Sequence, residues 1–335
     1  MFLKGGRRSG KTSLIKKISK IAQKQKRFIP VYVNFQDKFA LDAKKITIEI
    51  AKELKRTIRW KKKILMLDFD FGFFLSLCKR FLSKAENKGK LLFLFDEFDV
   101  VFQYPGNENP SGLHPFQAFF IDELLPLFRQ ENIKVIATCM LETQSIVSSE
   151  NHPSAIDADC ITLRCLNFNE TEHFIKKKNK HLEFKPEAID YFFDQTGGQV
   201  FFSQILAYTA FETALSENKT CVDLELIKKA SKELFIRYQG SIYWIWDSFH
   251  PEYQKILLAL SQCSKDKVEG SVQNILLRLN SEILAPNLEQ QLDFLLVCNF
   301  LKKEADSYSF TTPLLGRWIL FEKFKKQSLS LPTKN

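Results

Sequence analysis

Apolar and polar positions divide the chain into two parts. The first part, up to residue 168, alternates short apolar runs with amphipathic stretches. The apolar runs have the length of strands, and strands are predicted at 28–35, 90–99, 132–140 and 158–166. Helices are predicted from the amphipathic spacing at 11–25, 41–58, 73–86 and about 116–130, and a turn-rich loop is predicted at 104–115. Strands that alternate with helices predict an α/β fold with a parallel sheet sandwiched by helices.

The second part, from about Asn169, has a helical pattern. Helices are predicted at 169–179, 186–195, 199–216 and 223–238, and Gly240 is expected to close this stretch. Further helices are predicted near 251–262, 270–279 and 287–301, followed by an alternating hairpin at 301–310 and a last helix. Three short helices and then a hairpin are the outline of a winged helix, so an all-α region followed by a winged-helix domain is predicted.

The strongest chemical signal is GGRRSGKTS, which fits the pattern G-x-x-x-x-G-K-[ST] of a phosphate-binding loop. Glycines let the backbone curl so that successive N–H groups point at an anion, and the following helix adds its positive dipole end. Lys11 is expected to reach the β- and γ-phosphates, and the Thr12 hydroxyl is expected to ligate Mg²⁺. The predicted nucleotide-binding residues are Gly5, Gly6, Arg7, Arg8, Ser9, Gly10, Lys11, Thr12 and Ser13.

A second signal is the apolar run that ends in Asp96-Glu97. Ligands bind at the carboxyl ends of parallel strands, where both residues are expected to lie. Asp96 is expected to hold Mg²⁺ through water, and Glu97 to polarise an attacking water as general base. Thr138 ends the next apolar run, and two interpretations stay open: it hydrogen-bonds the γ-phosphate or the attacking water, or it only caps the strand end.

These motifs resemble those of AAA-like ATPases of the STAND superfamily. GGRRSGKTSL is similar to their first motif and LLFLFDEFD to their second, while FDQTGGQVFFSQILA (193–207) resembles the glycine-pair segment of their helical lid. The segment 295–320, LLVCNFLKKEADSYSFTTPLLGRWIL, resembles the winged helix that follows the lid. The resemblance implies a P-loop ATPase core at 1–168 with a truncated first strand, a lid at 169–240, a winged-helix domain at 241–325 and a tail at 326–335.

The resemblance also implies an activity. Proteins of this kind are ATP-driven switches that alternate between ATP and ADP states with Mg²⁺. The implied catalytic residues are Lys11, Glu97 and Thr138, and the implied metal ligands are Thr12 and Asp96. Gly197 and Gly198 correspond to the lid motif, where two glycines turn the chain into a helix that faces the nucleotide. Gln199-Val200 departs from the His-Pro that follows this glycine pair in the family.

Three functions fit these residues, and a slowly hydrolysing regulatory ATPase with a protein partner or self-association is preferred. The alternative is a DNA-binding ATPase of the initiator or transposition-helper type that uses the winged helix, which the net charge of +10 favours. It ranks second because the segment in the recognition position, 287–300, carries two acidic residues and no Lys or Arg. The third is a non-catalytic adaptor that bound nucleotide stabilises.

Cysteine usage and hydropathy bear on the compartment. The seven cysteines include no CxxC pair, which favours a reducing, cytoplasmic environment. No apolar run approaches the ~18 residues of a membrane span, so no membrane partner is expected.

The start of the chain raises a structural question. Only Met1 to Lys4 precede the loop, which is below the usual strand length of ~5–6 residues. We expect this stub to join the sheet beside the Leu91–Phe95 and Val135–Thr138 strands, because the loop needs an anchor. We also expect the natural protein, or its ancestor, to begin earlier.

Overall fold

The computed structural model describes most of the chain as two compact units. The described residues are 1–6, 8–36, 43–57, 72, 74, 76, 78, 89–98, 126, 129, 132–139, 159–178, 182–279 and 285–329. The first unit comprises Met1–Gly6 and Gly10–Leu163, and the second comprises Arg7–Ser9 and Arg164–Asn335. The loop predicted at 104–115 and nearly all of the helices predicted at 73–86 and 116–130 lie outside the described residues.

The described strands of the first unit form a five-stranded sheet in which every pair is parallel. They are β1 (Phe2–Lys4), β2 (Phe28–Asn34), β3 (Lys90–Asp96), β4 (Ile133–Cys139) and β5 (Cys160–Thr162), and their order in the sheet is β2-β3-β4-β1-β5. The predicted parallel α/β sheet is therefore confirmed. Chain order and sheet order differ, because β1 enters between β4 and β5.

Side chains of β3 alternate between two covered faces. On one face, Leu92 and Leu94 pack against Ile15 of helix α1 (Lys11–Gln25). The opposite face carries a cluster of phenylalanine rings in mutual contact, formed by Phe35, Phe74, Phe93, Phe95 and Phe98. A second helix, α2 (Ala43–Thr57), lies against β2. Burial on both faces explains why this strand is apolar at consecutive positions instead of alternating with polar residues.

Residues Phe2 to Lys4 of the N-terminal stub join the sheet as β1. Phe2 pairs with Ala137 of β4 on one side and with Cys160 of β5 on the other. The Met1 ammonium donates a hydrogen bond to the Val135 carbonyl oxygen at 3.2 Å. The prediction that the stub lies beside β4 is confirmed. The prediction that it also lies beside β3 is wrong, because β4 pairs with both strands and separates them.

The second unit consists mainly of helices around one hydrophobic core that extends from Ile175 to Ile319. Its described helices are α3 (Phe168–Lys178), α4 (Pro186–Thr196), α5 (Val200–Ser216), α6 (Leu224–Arg237), α7 (Gln239–Asp247), α8 (Pro251–Asp266), α9 (Val272–Arg278), α10 (Ala285–Val297) and α11 (Pro313–Leu329). A short parallel pair joins β6 (Glu183–Phe184) to β7 (Cys221–Val222). In the part of the chain that the structure describes, no helix is both long and apolar enough to cross a membrane.

The segment from α8 to α11 has the element order of a winged helix. Ser271, between α8 and α9, forms an isolated antiparallel bridge with Ser307. After α10, β8 (Leu301–Glu304) and β9 (Ser307–Phe310) form an antiparallel hairpin. The predicted hairpin at 301–310 is confirmed. The helices of the predicted lid and those of the winged-helix segment share one hydrophobic core. The domain boundary after residue 240 therefore stays a prediction.

Gly240 does not close the helical stretch, and this expectation is wrong. The chain turns two residues earlier, at Tyr238, and Gly240 is the second residue of α7. Helix α7 persists because Ile242 and Ile245 are buried in the core of the unit. Tertiary burial of this apolar pair therefore outweighs the low helix propensity of glycine, about 1 kcal/mol below alanine.

Gly197 and Gly198 form a tight elbow between α4 and α5. Both have positive φ, 54° and 67°, the left-handed region that favours glycine. A Cβ built on Gly197 would lie 1.7 Å from the carbonyl oxygen of Thr311, which follows the β8–β9 hairpin. A Cβ built on Gly198 would lie 1.8 Å from the carbonyl oxygen of Leu166. The neighbouring Thr312 hydroxyl donates to the Thr196 carbonyl at 2.9 Å. The elbow is thus packed against backbone on two sides.

A Gly197→Ala substitution is expected to destabilise the protein strongly. The methyl group adds left-handed backbone strain and displaces the carbonyl of Thr311, which together cost about 3 kcal/mol or more. We expect the thermal melting temperature, followed by circular dichroism, to fall by roughly 6–12 °C.

Gly240→Ala is the matched control, since a Cβ built there meets nothing within 4 Å and the residue is helical. It should be neutral or stabilise by up to about 1 kcal/mol. Equal melting temperatures for the two variants would contradict the packing of the elbow.

Candidate nucleotide-binding site

The loop after β1 turns directly into helix α1. Gly10 caps the helix with φ 94° and ψ 10°, a left-handed conformation that glycine adopts without a steric cost. No side chain caps this end, and the first turn holds no acidic residue. Backbone N–H groups at the start of α1 therefore keep their hydrogen-bonding capacity for an anion, and the helix dipole favours negative charge at the same place.

Lys11 places its ammonium group inside the loop. Its side chain is buried, and Nζ donates hydrogen bonds to the carbonyl oxygens of Gly5 at 2.9 Å and Gly6 at 3.0 Å. Both acceptors are uncharged, so the positive charge that Lys11 brings to the loop is not neutralised by these contacts. A buried ammonium held in this way is well suited to an anionic ligand.

Asp96 ends β3 and is fully buried. Its carboxylate accepts hydrogen bonds from three hydroxyl groups that belong to three different elements. Thr12 Oγ1 of α1 and Thr138 Oγ1 of β4 donate to Oδ1, at 3.2 and 2.8 Å, and the Tyr32 hydroxyl of β2 donates to Oδ2 at 2.8 Å. Thr12 and Asp96, the two residues expected to hold Mg²⁺, therefore lie within hydrogen-bonding distance, and their role toward the metal stays a prediction.

Thr138 connects the two adjacent acidic residues. Its buried hydroxyl donates to Asp96 Oδ1 and accepts a hydrogen bond from the Glu97 backbone N–H at 2.9 Å. Glu97 has φ 53°, a left-handed conformation that is unusual for a residue other than glycine and that costs of order 1–3 kcal/mol. The Thr138 hydroxyl thus fixes the backbone just where the chain leaves the strand and enters this strained turn.

The other predicted residues are distributed as follows. Ser13 lies on the exposed side of α1, Arg8 has a left-handed φ of 59°, and Arg7 lies outside the described residues. The Ser9 hydroxyl is buried and meets no hydrogen-bond partner among the described residues. Gly197 and Gly198, the predicted lid motif, form the elbow of the second unit, and their role toward a nucleotide stays a prediction.

Tyr32 contacts Asp96 but is not among the site residues predicted from the sequence. Its ring packs on the α1 face of the sheet, among residues that include Ile15 and Leu94. Burial, then the hydrogen bond to Asp96, raises the pKa of the Tyr32 phenol above its usual value, so the hydroxyl stays protonated and acts as a donor. A tyrosine in an apolar strand gives no sign of this role, since the contact depends on which strand lies next to β2.

The residues present fit a nucleoside triphosphate and Mg²⁺. The loop offers the buried Lys11 ammonium as a donor, held in the described part of the chain only by the uncharged carbonyl oxygens of Gly5 and Gly6. The Thr12 hydroxyl and the Asp96 carboxylate supply hard oxygen ligands at one point, which is the donor type that Mg²⁺ prefers.

Comparisons with known proteins bear on the fold. No protein-family model and no curated protein matches the chain. The chain is similar to a Walker-type ATPase of Pyrococcus abyssi, with 13% identity, a TM-score of 0.65 and coverage of 96% of this chain and 90% of that one. It is also similar to the ORC2 protein of Aeropyrum pernix in ADPNP–ADP complexes, with 13% identity, a TM-score of 0.60 and coverage of 98% and 88%. The chain therefore has the fold of AAA-like P-loop ATPases, and the narrower STAND assignment stays a prediction.

Thr138→Val is expected to weaken the first unit although it preserves shape. Valine leaves Asp96 with one donor fewer and the Glu97 N–H without its acceptor, at a cost of about 2 kcal/mol. Chemical denaturation should show a lower midpoint for Thr138→Val. Thr138→Ser keeps the hydroxyl and should stay near the wild type. If valine and serine variants unfold at the same denaturant concentration, the bridging role of this hydroxyl is refuted.

Proposed function

We propose that the protein is an AAA-like ATPase that binds ATP with Mg²⁺ in the loop between β1 and α1 and hydrolyses it slowly, as a regulatory switch of the STAND type. The observation that carries the proposal is the meeting of Thr12 and Asp96 at 3.2 Å, because it joins the phosphate-binding loop to the acidic strand end. Either motif alone is a weaker indication. Their contact through side chains 84 residues apart is what a metal–nucleotide site requires.

Binding in this proposal uses groups that already point into the loop. Backbone N–H groups near Gly10 and the start of α1 receive the phosphates, and Lys11 exchanges its carbonyl partners for phosphate oxygens. Thr12 and Asp96 hold Mg²⁺, Asp96 through water as the sequence indicates. Bound Mg²⁺ neutralises charge that develops on the β- and γ-phosphate oxygens.

Hydrolysis in this proposal uses Glu97 as general base. The Glu97 carboxylate accepts a proton from water as the water oxygen attacks the γ-phosphorus, the bond to the β-phosphate oxygen breaks, and ADP and phosphate form. Thr138 keeps Glu97 and Asp96 in a fixed mutual arrangement through its two hydrogen bonds. The Thr138 hydroxyl is engaged by both residues, which supports a positioning role.

The proposed switch acts on a protein partner or on a second copy of the chain. DNA is the second candidate partner, supported by the winged-helix order and the net charge of +10. The helix in the recognition position counts against it. Glu289 and Asp293 are the charged residues of α10 (Ala285–Val297), and Lys302 of the wing is paired with Glu304 at 2.8 Å. Groove recognition needs donors for phosphates and base edges, which this surface supplies sparsely.

Two substitutions separate binding from hydrolysis. Lys11→Ala is expected to weaken ATP binding roughly 100-fold, because charge-assisted hydrogen bonds to phosphate are lost. Glu97→Gln is expected to keep ATP affinity within about threefold and to lower single-turnover hydrolysis by roughly 100-fold or more. Isothermal titration calorimetry and a single-turnover phosphate-release assay measure the two effects.

Lys17→Ala, on the exposed side of the same helix, is the control for Lys11→Ala and should leave both measurements unchanged. Undiminished hydrolysis in Glu97→Gln would refute the assignment of the base. ATP binding without turnover in the wild type would instead favour the nucleotide-stabilised adaptor.

Duplex DNA is expected to bind weakly and with a shallow salt dependence. The slope of log affinity against log salt should be smaller in magnitude than about 3, since few phosphates are neutralised. Fluorescence anisotropy over a range of salt concentrations measures it. A steep slope that Lys302→Glu and Lys303→Glu reduce would make the DNA-binding ATPase the better interpretation.

A further inference from the structure

The three donors to Asp96 divide into two kinds. Thr12 and Thr138 both donate to Oδ1, and Thr12 is itself expected to ligate Mg²⁺. Tyr32 alone among the described donors contacts Oδ2. It belongs to β2, which carries none of the predicted site residues. If Oδ1 served the water shell of Mg²⁺, the Oδ2 contact with Tyr32 would still set the plane of the carboxylate.

Strand register determines that Tyr32 reaches Asp96. In the parallel pair of β2 and β3, Tyr32 lies opposite Leu94, and Asn34 lies opposite Asp96. Tyr32 therefore approaches the Asp96 carboxylate diagonally, because its own partner Leu94 lies two residues before Asp96 on the same face of the sheet. Only a long side chain with a terminal donor spans that separation, and a threonine or serine at this position is too short.

The ring of Tyr32 is partly buried between helix α1 and the sheet. It packs against the cluster formed by Ile15, Leu92 and Leu94, between helix α1 and the sheet. The Lys16 ammonium lies 5.8 Å from the ring centroid, within the range of a cation–π contact. The hydroxyl is thus presented to Asp96 by a side chain that has little freedom to move, which is what orientation of a metal-binding carboxylate requires.

We propose that Tyr32 is a positioning residue that orients the Asp96 carboxylate for the Mg²⁺–ATP complex. The proposal rests on the proposed function and extends it to a residue outside both sequence motifs. Hydrogen-bond partners of metal-binding carboxylates fix the geometry of the ligand, and their loss commonly lowers metal affinity by about 10–100-fold. Tyr32 acts through Asp96 and does not touch the nucleotide in this proposal.

Tyr32→Phe tests the proposal because it removes the hydroxyl and keeps the ring. We expect the Mg²⁺ concentration that gives half of the Mg²⁺-dependent gain in ATP affinity to rise about tenfold. ATP affinity in EDTA, where no Mg²⁺ is present, is expected to stay within about twofold of the wild type. Fluorescent-nucleotide titrations at a series of Mg²⁺ concentrations give both values without any hydrolysis assay.

A rescue variant makes the test specific for the donor. Replacement of Tyr32 by 4-aminophenylalanine keeps an N–H donor at the same ring position and should restore a low Mg²⁺ midpoint. Replacement by 4-fluorophenylalanine fills the volume of the hydroxyl without donating and should behave as Tyr32→Phe. If Tyr32→Phe does not fold, these two replacements are compared with each other, and equal midpoints would overturn the proposal.

Tyr191→Phe is the matched control. Tyr191 is a partly buried tyrosine of the second unit whose hydroxyl contacts Ser231 and accepts from Arg317, both at 3.2 Å. Its loss should leave the Mg²⁺ midpoint unchanged. The proposal is also overturned if Tyr32→Phe leaves the midpoint within twofold, or if it lowers ATP affinity equally with and without Mg²⁺.

The wild type in the same titrations separates this proposal from the function on which it rests. If the wild type binds ATP in a Mg²⁺-dependent manner and Tyr32→Phe has the same Mg²⁺ midpoint, only the role of Tyr32 is refuted. If the wild type does not bind ATP, the proposed function is refuted, and the role of Tyr32 with it.

Discussion

The hydrogen bonding of one buried carboxylate, that of Asp96, constrains the rest of the candidate site. A carboxylate removed from water is costly unless strong hydrogen bonds compensate it, and in the described residues these bonds come from three hydroxyl groups. The donors sit on α1, β2 and β4, so the carboxylate satisfies its acceptors only when all three elements are in place around β3. Fold and site are therefore coupled through this group: an error in strand order or register would leave the charge unsatisfied.

Sheet topology supplies the required neighbours. β3 lies between β2 and β4, which brings Tyr32 and Thr138 to opposite sides of Asp96. The phosphate-binding loop starts from β1, one strand further along, and α1 returns over the face that carries Leu92 and Leu94. Thr12, in the first turn of that helix, then lies above the end of β3. The short β1, from which the loop starts, pairs with β4 on one side and with β5 on the other.

The local chemistry and most element boundaries could be predicted from the sequence. The loop from Gly5 to Thr12 and the acidic pair at the end of β3 are recognisable because their residue types follow directly from phosphate and metal binding. Apolar runs predicted the buried strands, and α1 was predicted at the residues where it occurs. These features depend on contacts that are near in sequence or on burial alone.

The errors and omissions concern contacts distant in sequence. Placing β1 beside β3 was wrong because strand order cannot be derived from the composition of a strand that is apolar on both faces. Tyr32 was missed because its partner is 64 residues away and depends on the register of β2 with β3. The sequence predicts a helix end at Gly240, whereas the burial of Ile242 and Ile245 that overrides the low helix propensity of glycine cannot be seen in the sequence.

Asp96, Thr12 and the loop are expected to form one site for a metal–nucleotide complex. Titration calorimetry of the wild-type protein with ATP, in parallel with Mg²⁺ and with EDTA, measures whether they do. We expect binding of one ATP per chain and a marked gain in affinity with Mg²⁺. Absence of binding, or equal affinity in the two titrations, would contradict this expectation.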